Sequence, residues 1–128
     1  MSSESRKVIN IQVTSDLACP WCLVGHKRFE MALEEARQAH PEVELRPSFR
    51  SYMIDPATKE QGEDYLQYNI RRWGGDGWTE ELRQSGSPDG IKFANWRIWP
   101  NTLNAHRLLR FARQSGGPEK EYEVMKRL

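Results

Sequence analysis

Apolar and polar positions along the chain fall into a short β-type run, a long helical stripe and a second alternating run, followed by helical patterning to the end. Val8, Ile9, Ile11 and Val13 give Val8–Thr14 the β-branched content of a buried strand. Cys22, Gly25, Phe29, Leu33, Ala36 and Ala39 recur every three or four residues and predict a helix over about Pro20–Ala39, with one apolar stripe. His40-Pro41 stops it, because the residue before a proline is pushed out of the α region. Val43 and Leu45 alternate with Glu44 and Arg46 and predict a second strand up to about Arg50. Strand, helix and strand with short joints make a βαβ unit with parallel strands.

After Ser51 the pattern turns helical. Asp55-Pro56 and Gly62 punctuate a loop, and a helix is expected over about Glu63–Trp73, with Leu66, Ile70 and Trp73 on one face and Gly74-Gly75 ending it. A short helix over Thr79–Gln84, a turn at Ser87–Gly90 and an extended aromatic-rich segment at Ile91–Trp99 follow. Asn101 or Thr102 caps the next helix, which turns Ala105, Leu108, Leu109 and Ala112 inward and finishes near Gly116-Gly117. Pro118 opens a last helix carrying Tyr122, Met125 and Leu128 at helical spacing. Residues 1–6 read as a disordered lead, and there is no internal repeat.

Composition narrows the function more by exclusion than by assignment. Lys and Arg (19) nearly cancel Asp and Glu (18), with the basic residues scattered, which argues against a nucleic-acid or membrane partner. The polar start of the chain and the absence of a long apolar run predict a cytoplasmic protein. In a reducing compartment a lone cysteine pair is expected to be catalytic, redox-sensing or metal-binding rather than a structural staple.

The two cysteines, Cys19 and Cys22, stand two residues apart where the strand gives way to the helix. At a helix start the unpaired backbone N–H groups and the positive end of the macrodipole favour an anion, so Cys19 is the expected thiolate and nucleophile and Cys22 the resolving thiol. Pro20 and Trp21 lie between them and tune their redox poise; Trp21 brings no charge of its own, so a poise short of the strongly oxidising extreme is expected. Two inert thiols, or half of a zinc site, are the alternatives. The three histidines, His26, His40 and His106, are neither paired nor spaced as zinc ligands, so no metal is expected. His26 reads as a solvated helix residue, with proton donation to the thiolate as its other reading. Trp73, Trp78, Trp96 and Trp99 read as core and lid packing rather than a substrate cage.

Four stretches carry a resemblance: Ser15-Asp16-Leu17-Ala18-Cys19-Pro20-Trp21-Cys22 with Gly25, Pro47-Ser48-Phe49 leading to Asp55-Pro56 and Gly62, Gly90-Ile91-Lys92-Phe93, and Asn101-Thr102-Leu103-Asn104-Ala105-His106-Arg107-Leu108. Together the sequence resembles the DsbA-like branch of the thioredoxin superfamily, most closely its FrnE-like and 2-hydroxychromene-2-carboxylate isomerase-like members. The resemblance implies an α/β fold: a thioredoxin-like βαβ unit followed by an α-helical insertion, with the C-terminal half of the thioredoxin fold missing. Residues 7–55 would be the βαβ half and residues 56–128 the insertion, and a homodimer or swapped assembly would complete the fold. It further implies a thiol-disulfide oxidoreductase acting on protein disulfides or small thiols, with Asn101, Thr102 and His106 as candidate substrate-lining residues. Leu23 and His26 depart from the family pattern. A glutathione-dependent isomerase or transferase similar to the kappa class, with glutathione as co-substrate, is the alternative. Such enzymes typically hold a serine where Cys19 stands. An inactive fragment or binding module is the third reading.

Overall fold

Two parallel strands, β1 (Lys7–Ser15) and β2 (Val43–Ser51), pair in register from Lys7 opposite Val43 to Ser15 opposite Ser51. Parallel strands cannot be joined by a tight turn, and the crossover here is α1 (Pro20–Ala39). The computed structural model describes residues 6–94 and 96–128, so the expected disordered lead lies, apart from Arg6, outside the described residues. The remaining elements are β3 (Glu63–Asp64), α2 (Tyr65–Trp73), α3 (Trp78–Gly86) with a 3-10 turn at Ser87–Asp89, β4 (Ile98–Trp99) and α4 (Leu103–Met125). The chain is mixed α/β with a β-α-β start, and β3 and β4 form a second, antiparallel pair.

The predicted stripe of α1 holds at Phe29, Leu33 and Ala36 and fails at Gly25 and Ala39, which are exposed. Val24 is buried instead, because α3 flanks the helix and brings Gly86 against that side. Arg28 fastens the same flank, donating to Asp89 and to the Ser85 carbonyl at 2.8 Å each. β1 is not the buried strand its composition predicts: Val8 and Ile9 are each well over a third exposed. Helix α4 packs over β2 rather than β1, and the main core joins Phe49 of β2 to Leu109, Tyr122 and Met125 of α4.

Helix α2 buries a different face from the one that carries its aliphatic residues. Leu66, Ile70 and Trp73 are exposed, while Tyr65, Tyr68 and Asn69 are buried. The aromatic rings decide the rotation, since Tyr68 stacks on Trp99 with centroids 4.3 Å apart and Tyr65 on Trp96 at 5.8 Å. The helix also starts two residues later than its pattern suggests. Glu63 and Asp64 pair with β4, and the Asp64 carboxylate accepts the Gln67 N–H at 2.9 Å as N-cap. Gly74 ends α2 in the left-handed region at φ 82°, as its position predicts.

Gly62 also has a left-handed φ, 85°, at the turn into β3. A Cβ there would sit 2.6 Å from Ile98 Cγ2 and 3.1 Å from the Trp99 carbonyl. Gly62→Ala should therefore destabilise the fold by at least about 1–2 kcal/mol, the cost of the left-handed conformation alone. Urea unfolding measures it, and an unchanged midpoint would contradict the geometry.

The two C-terminal helices expected from sequence are present as segments of α4, broken at Gly117, where φ 80° and ψ -176° leave the helix before Pro118 begins the second segment. Leu109, Ala112, Tyr122 and Met125 are buried as expected, whereas Leu108 and Leu128 are exposed. His106 and Glu121 take inward positions instead, each paired: His106 with Asp16, and Glu121 with Arg113 at 3.0 Å.

Candidate active site

Cys19 is the N-cap of α1, in extended conformation at φ -80° and ψ 117°, and its Sγ accepts the Cys22 N–H at 3.4 Å. Pro20 fills the first helical position, where a missing N–H costs nothing, and the Cys19 carbonyl accepts the Leu23 N–H at 3.2 Å. Strand, cap and proline thus put one sulfur where unpaired amides begin and the other a turn along. Both cysteines are free thiols and both are half-buried.

The two sulfurs titrate as a unit. The Cys19 thiol hydrogen-bonds the Cys22 sulfur, and this contact, opposed by burial and assisted by Ser15, draws Cys22 down to about 6. The same contact, with burial added, pushes Cys19 far above the ordinary thiol range. The sequence placed the easier ionisation on Cys19 alone; in the folded pair the two thiols titrate together, and the low first ionisation belongs to the pair.

Asp16 holds the loop that presents the pair. Its buried carboxylate accepts from the Ala18 N–H (3.3 Å), the Ile54 N–H (2.8 Å) and the Thr102 hydroxyl (2.8 Å), and pairs with His106 Nε2 (3.2 Å). Sequence reasoning gave Asp16 no role. Its local signal is weak, because three of the four partners lie 38, 86 and 90 residues away.

The other candidate residues stand behind this loop. Thr102 is the N-cap residue of α4, but its hydroxyl serves Asp16 and makes no capping bond. Asn101 accepts the Leu103 N–H at 2.9 Å and donates to the Thr58 carbonyl at 2.7 Å. His106 stacks on Phe49 at 6.2 Å, and its Nδ1 is buried without a partner. None of the three lines either cavity beside the cysteines.

Cys19 and Pro20 line both of those cavities. The first, of about 370 Å³, is walled by Pro20, Trp21, Ile54, Tyr68, Asn69, Trp73, Trp78 and Trp99. Of the four tryptophans read as packing, Trp99 is core, Trp73 and Trp78 face this space, and Trp96 lies in the wall of the second. That second cavity, of about 300 Å³, includes Cys22, Asp16, His26 and Met125. His26 is half-buried there, not solvated, with its ring edge-on to Tyr122 at 6.0 Å, and burial lowers its pKa. Trp21 is nearly half exposed at the rim and Pro20 is buried.

No model of a known protein family matches the chain, and no curated protein matches it. Among the described residues no three or more His, Cys, Asp or Glu side chains gather as metal ligands, and no helix is long and apolar enough to cross a membrane.

Proposed function

We propose that this protein is a thiol-disulfide oxidoreductase of DsbA-like, FrnE-like kind, built on a thioredoxin-like βαβ unit. The carrying observation is the Cys19 sulfur at the start of α1, accepting the Cys22 N–H and opening onto an apolar cavity. The β-α-β start and the half-exposed free thiols support the same reading.

In the mechanism the pair loses its first proton and Cys19, the cysteine that lines both cavities, attacks one sulfur of a bound disulfide. The disulfide bond breaks, its electron pair leaves on the departing thiolate, and a mixed disulfide joins Cys19 to the retained half. Cys22 then attacks the Cys19 sulfur, expelling the second thiol and closing the Cys19–Cys22 disulfide. The substrate disulfide is itself the oxidant, so no bound metal or organic cofactor enters the cycle. Pro20, which fixes the first helical turn, and Trp21, half exposed beside it, set the poise of the pair.

Iodoacetamide labelling of the reduced protein against pH tests this directly. The thiolate alkylates and the thiol does not, so the rate should rise with a midpoint near 6 rather than near the ordinary 9.0. A midpoint at the ordinary value would remove the chemical basis of the proposal. The same shifts predict the stability of the reduced form. Between about 6 and 9.0 the native pair has released a proton that the unfolded chain still holds, so stability rises with pH there. Above 9.0 it falls, because the native pair retains a second proton that the unfolded chain gives up. Urea titrations across pH measure both limbs.

A further inference from the structure

We infer that the preferred substrate of this site is a small disulfide carrying, near one sulfur, an aromatic ring with a hydrogen-bond acceptor, seated among Tyr68, Trp73, Trp78 and Trp99. The inference rests on the redox reading above and names its substrate class. Cys19 stands at the edge of the first cavity, so a group in that cavity lies beside the sulfur that attacks. Its volume, about 370 Å³, is at the small end of ligand pockets and suits one ring with a substituent rather than a folded partner. Indole and phenol side chains line much of it, with Trp73 and Trp78 the more exposed, and such surfaces bind planar rings better than alkyl chains of equal area.

Tyr68 specifies the substituent. Its side chain is buried and lines this cavity, its hydroxyl meets no hydrogen-bond partner in good geometry, and the Arg72 guanidinium stands near it. A buried hydroxyl left alone is costly, and an acceptor on the ring would satisfy it. The neighbouring Asn69 is already engaged, donating to the Tyr65 carbonyl at 2.8 Å and accepting from Trp78 Nε1 at 3.0 Å. Tyr68 is therefore the selecting group.

Exchange is balanced as above: the ring-bearing sulfur bonds to Cys19, the other half leaves as thiolate, and Cys22 later releases the ring-bearing thiol. Binding and chemistry are tested separately. Para-methoxybenzyl, benzyl and cyclohexylmethyl methyl sulfides, which cannot exchange, are titrated into a Cys19→Ser/Cys22→Ser variant and followed by tryptophan fluorescence. The expected order is para-methoxybenzyl over benzyl over cyclohexylmethyl, spanning roughly tenfold in Kd. Tyr68→Phe should erase the first preference and retain the second. Trp73→Ala, at an exposed position that folding tolerates, should weaken both rings. Next, the wild-type protein is given the corresponding methyl disulfides, from which methanethiolate departs in every case, and the same order is expected in initial exchange rate. Equal rates and equal affinities overturn the inference while leaving the redox reading intact. Ordered binding with no exchange by the wild type overturns the redox reading instead.

Discussion

Asp16→Ala should lower the unfolding free energy by about 3–5 kcal/mol, the range for removing one partner from a buried polar cluster. The carboxylate accepts two part-buried backbone N–H groups and the buried Thr102 hydroxyl and pairs with the buried His106, and in its absence each loses this partner. A small domain has only about 5–15 kcal/mol in total, so the variant should be near its stability limit at room temperature. Asp16→Asn is the sharper test. It keeps the volume, but its amide nitrogen must face a donor, so it should lose at least one bond at about 1–3 kcal/mol. Urea unfolding followed by tryptophan fluorescence reads both variants. A loss below 1 kcal/mol in each would mean that the cluster does not hold the cysteine loop.

The second large effect is on the chemistry. Cys22→Ser should stop turnover and collect one mixed disulfide per chain on Cys19, visible as a mass increase reversed by dithiothreitol. Cys19→Ser should lower disulfide exchange by at least roughly a thousandfold, since removing a nucleophile removes the pathway rather than one contact. The pair of outcomes assigns the order of attack. If Cys19→Ser instead trapped the adduct on Cys22, the sulfur with the lowered pKa would be the nucleophile and the roles would reverse. A Cys22→Ser variant that turned over normally with glutathione present would favour the isomerase or transferase alternative, which needs no second thiol.

What local sequence determines here is the punctuation of the chain. The Cys19 cap with Pro20 behind it, the stop at His40-Pro41, the left-handed glycine after α2 and the break at Gly117-Pro118 were all readable, because each depends on one residue's own backbone preferences or missing N–H. The β-α-β order was readable for a similar reason, since period and length separate a strand from a twenty-residue helix.

Which face of each element turns inward depended on neighbours that are distant in sequence. Helix α2 presents Tyr68 rather than Leu66 because Trp99 offers a ring to stack on, and hydropathy alone ranks the leucine higher. Val24 is buried because α3 returns beside α1, and His106 faces inward because a carboxylate 90 residues earlier awaits it. The candidate site divides the same way. Two cysteines at a helix start can be read from eleven residues, whereas the aromatic cavity beside them needs α2, α3 and β4 brought together, and the coupled titration needs the two thiols side by side. Packing and electrostatics act between surfaces that exist only once the chain has folded, so only the tertiary structure could decide them.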